Sequence, residues 1–309
     1  MATDAPLRLP SGGLSRRAFV AGAASLGVAG CMRPRGQATP DQKPLGLANI
    51  TVAAALRHDY AGTLRQAKAM GYTHFGFPLA AASPRSPPVP DPVEAAAMVR
   101  DAGLSVGVVR LGYGSAIAEQ MAMARKIGAS IVAQSAAPVF FEGPVQGQTT
   151  RAAFEAWLPR LGDLSAAARA EGLRLVFHNH GWDHVPLEGK TPLALIVERF
   201  APGEVDFEID LAWAALGGAD PLSLIKALGP RVLAMHFKDV DPSRGPAEHD
   251  QLVAPGDGTL GYDRLIPHLD RMTNAIGYVE VDKPDDELVA AQRGAAFVQE
   301  TRRGSSSIL

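Results

Sequence analysis

Residues that bind metal ions or transfer protons are concentrated in four segments in the second half of the 309-residue chain. Each segment begins with apolar residues and ends with imidazole, carboxylate or ammonium groups. In chain order these groups are His178, His180, His184, Glu208, Asp210, His236, Lys238, Glu280 and Asp282. Nitrogen and oxygen ligands without a thiolate suit Mn²⁺, Zn²⁺, Co²⁺ or Mg²⁺. The segments therefore predict a divalent metal site, with Mn²⁺ as the preferred ion.

Four consecutive strands that end alike would bring these groups together. Side chains alternate between the two faces of a strand, so His178 and His180 share one side, as do His236 and Lys238. In a parallel α/β barrel, reactive groups lie at the carboxyl ends of the strands, which meet at one rim. Taken singly, a strand histidine is more often a packed or surface residue, and a strand-end aspartate often caps a helix. The repetition over four strands favours one shared site.

The remaining sequence predicts the fold that would position these groups, a single (β/α)₈ TIM barrel over residues 45–303. Short apolar runs alternate with amphipathic stretches, as expected for successive βα units. An open, doubly wound sheet is the main alternative. No G-x-G-x-x-G opens the first helix, which weakens a dinucleotide-binding version of that alternative.

The boundaries of the elements follow from the apolar patterns and from glycines that come just after each helical stretch. The predicted strands are 46–52, 73–78, 105–111, 130–134, 173–178, 205–211, 232–238 and 277–281. The predicted helices are 60–70, 92–101, 116–127, 151–170, 191–200 and 221–228.

The composition is that of a globular protein with a mildly acidic surface. Hydrophobic residues make up 47% of the chain and charged residues 20%, and the formal net charge is −2. Nucleic acid is excluded as a general partner because its binding needs clustered Lys and Arg. Cys31 is the single cysteine, so no disulfide can form within the folded body. Whether the chain forms a homo-oligomer stays open.

The first 31 residues resemble a bacterial twin-arginine export signal that ends in a lipobox. Arg16 and Arg17 precede a weakly apolar run over 18–29, which is shorter than the roughly 20 residues of a membrane-spanning helix. Residues 28–31 read Val-Ala-Gly-Cys, so cleavage before Cys31 and lipidation of its thiol are expected. Residues 32–44 would form a flexible tether.

This leader predicts a periplasmic protein that is exported by the twin-arginine machinery and anchored to a membrane through lipidated Cys31. The alternative is an unstructured leader with a chance Arg-Arg pair and an idle or buried thiol. Because phosphorylated sugars are largely cytoplasmic, export favours an unphosphorylated carbohydrate as the substrate.

Residues 45–300 resemble the sugar phosphate isomerase/epimerase superfamily, the xylose-isomerase-like TIM barrels. Four motifs carry the resemblance, in the order and spacing of the family. They are Phe-His-Asn-His at 177–180, Phe-Glu-Ile-Asp-Leu-Ala-Trp at 207–213, His-Phe-Lys-Asp at 236–239 and Tyr-Val-Glu-Val-Asp at 278–282. The resemblance implies a divalent metal held by one residue from each of the last four strands: His178, Asp210, His236 and Glu280.

The resemblance also suggests roles for the residues around the metal. Glu280 would be the general base, Lys238 would contact a substrate hydroxyl or the enolate oxygen, and His180 would serve the opposite face of the sugar. The substrate walls would come from Trp182, Trp213, Asp183, His184 and Arg110, although either tryptophan could equally be packing.

Three positions depart from the family pattern. His178 stands where glutamate is frequent, which puts a mechanism with two carboxylate bases in doubt; Asp183, His180 or His184 could replace the missing one. Gly76 and Arg110 stand where glutamate and histidine are common. Both would alter the pocket walls rather than the metal site.

Three functions remain open at this point. The first is an isomerase or epimerase that moves a proton beside the carbonyl of an unphosphorylated sugar. The second is a lyase or glycoside-cleaving enzyme that eliminates a group from a keto-glycoside with the same metal and base. The third is a non-catalytic, sugar-binding lipoprotein, which would have no need for a Lewis acid beside a base.

Overall fold

A computed structural model describes residues 43–79, 90–113 and 116–306 of the chain. The predicted export signal, Cys31 and the tether up to residue 42 lie outside these residues. Within the described ranges, no helix is both long enough and apolar enough to span a membrane.

Eight parallel strands close into a barrel, which confirms the predicted fold. In chain order the strands are β1 (Leu45–Ala48), β2 (His74–Pro78), β3 (Ser105–Arg110), β4 (Ile131–Ser135), β5 (Arg174–His178), β6 (Asp206–Asp210), β7 (Val232–Phe237), β8 (Asp239–Val240), β9 (Leu252–Val253) and β10 (Ile276–Val279). Eight of these strands form the barrel, in the order β1-β10-β7-β6-β5-β4-β3-β2. The short strands β8 and β9, which follow β7 in the chain, form a separate antiparallel pair. The carboxyl ends of β5, β6, β7 and β10 are therefore neighbours on one rim.

The helices follow the strands as in successive βα units, and side chains fix where many of them begin. Those in the described residues are α1 (Ala53–His58), α2 (Tyr60–Ala69), α3 (Pro92–Asp101), α4 (Ile117–Lys126), α5 (Arg151–Ala170), α6 (Pro192–Arg199), α7 (Leu211–Leu216), α8 (Pro221–Leu228), α9 (Tyr262–Met272) and α10 (Glu287–Ser306). The side chains of Asp91, Thr150 and Thr191 accept hydrogen bonds from backbone N–H groups at the starts of α3, α5 and α6. The predicted bounds of α3, α5 and α8 are confirmed to the residue.

Most of the predicted strand bounds differ from the structure by one residue, but two strands end two or more residues early, and both of these differences bear on the site. β1 ends at Ala48, because Asn49–Val52 form a 3₁₀ turn that is held by a hydrogen bond from Val281 N to Thr51 Oγ1 at 3.0 Å. β10 ends at Val279, so the last acidic groups project from the segment just beyond it. Four helices were not predicted; of these, α1 and α7 have six residues each, which is too short to show a helical period.

A small apolar cluster fills the interior of the barrel. Its buried members are Val108, Ala133, Val176, Ala234 and Tyr278. The Tyr278 ring crosses towards β1 and β3, where Val108 N donates a hydrogen bond to its hydroxyl at 3.1 Å. A Cβ atom at Gly46 or Gly107 would overlap this ring. The tyrosine therefore closes the interior beneath the rim.

Candidate metal centre and active site

A charged layer lies directly above the apolar interior. Because side chains two positions apart point to the same side of a strand, the residues that follow the interior cluster also face inward. Thus Arg110 follows Val108, His178 follows Val176, and Glu280 follows Tyr278. Polar groups in this layer contact one another across several strands.

Three of the four predicted metal ligands form one cluster. His178, Asp210 and His236 are buried and each offers a ligand atom, with these atoms all within 4.8 Å of one another. Nδ1 of His236 lies 3.5 Å from Oδ2 of Asp210 and 3.2 Å from Oε2 of Glu280. Glu280 thus borders the cluster through His236.

The donor atoms of this cluster fit a cation. Nδ1 of His178, Nδ1 of His236 and Oδ2 of Asp210 are buried and make no well-aligned hydrogen bond among the described residues. Each instead lies beside a charged group, at 3.2 Å from Glu208, 3.2 Å from Glu280 and 3.0 Å from Lys238 respectively. Buried ligand atoms that hydrogen bonds do not saturate leave lone pairs for a bound group. Imidazole nitrogens with carboxylate oxygens are a donor set that Mn²⁺, Zn²⁺ or Co²⁺ accepts.

The charge around the cluster suits a divalent cation as well. The charged side chains are four acids and two permanent cations, namely Glu208, Asp210, Glu280, Asp282, Arg110 and Lys238. Burial alone would lower the pKa of His236, yet Glu280 and Glu208 raise it well above its ordinary value. Positive charge is therefore favoured where this ring lies.

Lys238 is fully buried and forms ion pairs with three carboxylates. Its Nζ lies 3.0 Å from Asp210, 2.8 Å from Glu280 and 2.7 Å from Asp282. Burial acts to lower the pKa of Lys238, but these carboxylates raise it well above its ordinary value. Burial alone would raise the pKa of Glu280, but His236 and Lys238 hold it well below. The ammonium thus pairs with neighbouring strand ends rather than with Asp239.

Glu208 lies at the centre of the charged layer, although the sequence reasoning did not select it. Its Oε2 is 2.6 Å from Arg110 Nη1 and 3.2 Å from His178 Nδ1, and its Oε1 is 3.2 Å from His236 Nε2. Burial would raise its pKa, but Arg110 and His236 hold it well below the ordinary value. The signal that could have found Glu208 is its place two residues before Asp210, on the same face of β6.

Arg110 contacts a candidate metal ligand. Its Nη2 lies 2.8 Å from His236 Nε2, and its side chain is 19% exposed. An arginine at this position thus contacts the candidate metal cluster in addition to its predicted place in the pocket wall. Because the Arg110 side chain is partly exposed, its contact with the substrate stays a prediction.

Asn179 was also missed, and it positions Asp210. Its Oδ1 accepts a hydrogen bond from Asp210 N at 2.9 Å, and its Nδ2 donates to Asp210 O at 3.2 Å. Oδ1 of Asp210 accepts from Trp213 N at 3.0 Å at the start of α7. Asp210 therefore caps a helix with one oxygen and leaves the other, Oδ2, facing His236.

The histidine and tryptophan that follow β5 lie at the rim. The His180 ring stacks on Trp182 with centroids 4.7 Å apart and an interplanar angle of 6°, and it lies 5.1 Å from the His178 ring. Burial and the neighbouring His178 lower the pKa of His180 well below its ordinary value. His180 is therefore an uncharged imidazole, and its surroundings disfavour the imidazolium form.

The other predicted substrate contacts lie deeper. Asp183 is fully buried, and its Oδ2 accepts a hydrogen bond from His180 N at 2.8 Å. Burial raises the pKa of Asp183 to about 8 and lowers that of His184 to about 4. Trp213 is 2% exposed and packs against Lys238 and His249, which is the packing role left open by the sequence.

Comparison with known proteins gives a family model that matches residues 64–301 and is described as "Xylose isomerase-like TIM barrel". Inosose dehydratase from Bacillus anthracis is 24% identical over an alignment of 190 residues that covers 56% of this chain and 62% of that protein. The chain thus spans less than two thirds of the length of this curated relative.

Two solved structures share the fold. A sugar phosphate isomerase/epimerase from Parabacteroides distasonis superposes with a TM-score of 0.68 at 18% identity, covering 86% of this chain and 98% of the other. A xylose isomerase-like TIM barrel protein from Mycobacterium smegmatis, in complex with magnesium, gives a TM-score of 0.57 at 15% identity, with 87% and 99% covered. At these identities the similarity establishes the fold alone.

Proposed function

Because the chain belongs to the family of xylose isomerase-like TIM barrels, we propose that it is a metal-dependent sugar isomerase or epimerase. The proposed reaction moves the proton on the carbon beside the carbonyl of an unphosphorylated sugar or sugar derivative. One observation carries the proposal: His178, Asp210 and His236 offer ligand atoms within 4.8 Å of one another, and an ionised carboxylate, Glu280, lies 3.2 Å from His236. A metal beside a base is the equipment that this reaction needs.

In this proposal, His178, Asp210, His236 and Glu280 hold the cation. When bound, a divalent cation polarises the carbonyl and lowers the free energy of the negative charge that develops on the substrate. Glu280 accepts the proton from the neighbouring carbon at its carboxylate. Its low pKa keeps it ionised at neutral pH, and Lys238 fixes its orientation through Oε1 at 2.8 Å. Lys238 is fully buried, so it acts through Glu280 rather than on a substrate hydroxyl.

In isomerisation the proton returns to the adjacent carbon while the proton of the neighbouring hydroxyl moves to the former carbonyl oxygen. In epimerisation a proton is delivered to the opposite face of the same carbon. His180 is our choice for a proton carrier on the second face, because its ring borders the cluster at His178. Glu280 and His180 would form an asymmetric pair of bases, with a carboxylate on one side and an imidazole on the other. Arg110, which is partly exposed above Glu208, would contact substrate oxygen atoms.

Elimination is a second candidate, and the asymmetry of the site favours it. An elimination needs one base, since the proton leaves from one carbon and the leaving group departs from the next as a double bond forms. His178 replaces the carboxylate that a symmetric two-base mechanism would use. The curated relatives are inosose dehydratases, enzymes named for the loss of water. A keto-sugar with a group two carbons from the carbonyl would then lose that group.

We also propose that the protein is exported and lipid-anchored. Arg16, Arg17 and Cys31 carry this proposal, and a site outside the cytoplasm would meet unphosphorylated sugars. Replacement of both arginines by lysine should retain the protein in the cytoplasm, as measured by cell fractionation. Cys31→Ser should instead release it from the membrane fraction. Unchanged membrane association in both variants would exclude twin-arginine export and lipidation at Cys31.

Solvent deuterium tests the enzymatic proposal. The metal-loaded protein is incubated with free ketoses, aldoses and keto-glycosides in deuterated water, and mass spectrometry follows the products. Deuterium at one carbon without cleavage supports isomerisation or epimerisation, whereas loss of a substituent supports elimination. Sugar binding with neither outcome supports the non-catalytic alternative.

Glu280→Gln is the decisive variant, and the exposed Asp285→Asn is its control. We expect Glu280→Gln to lower exchange by at least about 10²-fold, in line with the loss of a general base. Metal content, measured by atomic emission, should be retained in part through the other three ligands. Undiminished exchange would remove Glu280 from the mechanism. Asp285, which pairs with Arg244 at the surface, should leave exchange unchanged.

A further inference from the structure

Exposed large apolar side chains are unevenly distributed over the described surface. Those that are at least 40% exposed are Tyr113, Phe141, Val145, Val185, Met272 and Val289. The first four belong to the connections that follow β3, β4 and β5, at the carboxyl-end rim. Exposed apolar groups that gather in one place mark a binding surface more often than scattered ones do.

Two of these side chains extend a continuous series of rings, which we call the aromatic row: His180, Trp182, Phe141 and Tyr113. The ring centroids of His180 and Trp182 are 4.7 Å apart, those of Trp182 and Phe141 5.7 Å, and those of Phe141 and Tyr113 6.2 Å. Phe141 is 44% and Tyr113 49% exposed. The row therefore runs from a half-buried inner end to an open outer end.

The inner end of the aromatic row adjoins the candidate metal centre. The His180 ring lies 5.1 Å from the ring of His178. A sugar ring bound beside His178 would lie next to His180, whereas Phe141 joins the row through Trp182 and Tyr113 joins it through Phe141. The row thus offers exposed aromatic area in addition to the ring that adjoins His178.

The row is held in place from behind. Phe140 packs against Trp182 with centroids 5.5 Å apart, and against Phe154 of α5 at 5.9 Å. A Cβ atom on Gly147 would lie 2.8 Å from the Trp182 ring, so this loop also closes on it. A surface that is fixed before binding loses little entropy when a ligand covers it.

The chemistry of the outer rings favours a flat apolar group over a second sugar. Phenyl faces bind aromatic rings by stacking and by apolar burial. The Tyr113 hydroxyl already donates to the carbonyl of Ser135, and Trp182 Nε1 is buried. The Tyr113 O–H and the Trp182 N–H are thus not presented to solvent as donors for a sugar hydroxyl. The carboxylates and Lys238 lie instead with β6, β7 and β10.

We propose that the aromatic row binds an aryl substituent of the sugar substrate, so that the substrate class is an aryl glycoside or another aryl-substituted sugar. The proposal rests on the proposed function for the location of the sugar ring beside His178. It makes Phe141 and Tyr113 determinants of specificity, since they would contact the substituent and not the reacting carbon.

Binding of unreactive probes tests this proposal without turnover. The 4-nitrophenyl glycosides of glucose, galactose and xylose are compared with the corresponding methyl glycosides by calorimetry, using the full chain loaded with Mn²⁺. For at least one sugar, we expect the aryl glycoside to bind about tenfold more tightly than the methyl glycoside. Phe141→Ala and Tyr113→Ala should each remove most of this difference, whereas Phe141→Tyr should keep it.

Met272→Ala is the matched control, because Met272 is 40% exposed at the end of α9, away from the row. It should leave the affinity ratio unchanged. The proposal is overturned if no aryl glycoside binds more tightly than its methyl counterpart, including the case in which none binds. It is also overturned if Phe141→Ala changes only the oligomeric state in sedimentation, which would assign the row to contact with a second copy of the chain.

The two proposals fail separately. An aryl preference without deuterium exchange would support the binding role of the aromatic row and contradict the proposed isomerase activity. Deuterium exchange on simple sugars without an aryl preference would support the enzymatic proposal and contradict the role of the aromatic row.

Discussion

The rim above β6, β7 and β10 holds the buried lysine and most of the carboxylates, whereas the connections that follow β3, β4 and β5 hold the exposed aromatic rings. In the charged half, a buried lysine and several carboxylates contact one another at hydrogen-bonding distance, and Glu280 is a representative member. In the aromatic half, rings such as Trp182 and Phe141 meet edge to face, and Phe141 is 44% exposed. One half is built to stabilise charge in a fixed place, and the other to cover apolar area.

The two halves differ in how much a substitution lowers the free energy of unfolding. Removal of one partner of a buried ion pair lowers it by several kcal/mol, because the remaining charge is left in a medium that solvates it poorly. Exposed rings lose only their own contacts. Substitutions in the charged half should therefore affect folding and metal binding together, and those of the exposed rings should affect ligand choice with little effect on folding.

The largest effect is expected from Lys238→Met, which leaves Asp210, Glu280 and Asp282 without their shared cation. Loss of one partner of a buried ionic group typically lowers the free energy of unfolding by about 3–5 kcal/mol. Urea unfolding of the metal-free protein measures this change.

The control is Lys283→Met, since Lys283 pairs with Asp250 at 3.1 Å while their side chains are 59% and 51% exposed. An exposed pair contributes about 0–1 kcal/mol. Equal effects of the two substitutions would contradict the assignment of Lys238 as a structural charge of the site.

Glu208→Gln should have the next largest effect, which is expected on the affinity for the metal rather than on stability. The amide keeps the shape of the side chain but leaves Arg110 uncompensated beside His236. Loss of a residue that orients a metal ligand weakens binding by about 10–100-fold. Titration with Mn²⁺, followed by electron paramagnetic resonance, measures the affinity and the symmetry of the site.

Glu198→Gln serves as the comparison, because Glu198 pairs only with exposed Lys190 on the outer surface among the contacts described. It should leave Mn²⁺ affinity unchanged. If Glu208→Gln also bound Mn²⁺ normally, the central carboxylate would be a structural partner of Arg110 without influence on the metal ligands.

The smallest effect is expected in the aromatic half, from Gly147→Ala. Gly147 has φ of +84°, and its Cβ would lie 2.8 Å from the Trp182 ring. Gly189 has φ of +89° with no atom within 4 Å of its Cβ position, so Gly189→Ala carries the same backbone strain without the overlap. Thermal unfolding should show Gly147→Ala to be the more destabilising by about 1 kcal/mol. Equal destabilisation would mean that Trp182 is free to shift.

The barrel was predictable from the alternation of apolar runs with amphipathic stretches, and the metal cluster from the period-two alternation of side chains along the strands. Residues at the carboxyl ends of four parallel strands had to meet at one rim, and His178, Asp210 and His236 do so. The same rule contained Glu208, which was passed over when only one ligand was assigned to each strand.

Other parts of the site had no sequence signal of this kind. Asn179 acts through the backbone of Asp210, and a residue type does not reveal a partner on the next strand. Phe141 and Tyr113 lie in irregular connections, where no periodicity indicates which way a ring points. Loop aromatics can be placed only once the strands that carry the loops are known.

Tyr278 and the glycines around it restrict how this barrel can evolve. A side chain at Gly46 or Gly107 would overlap the Tyr278 ring, and a Cβ at Gly76 would lie 3.1 Å from Val108 O. Replacements at these positions are therefore interdependent: position 278 has to become smaller before 46 or 107 can gain a side chain. Adding new acidic groups to that side of the barrel would require an ordered series of mutations rather than a single one.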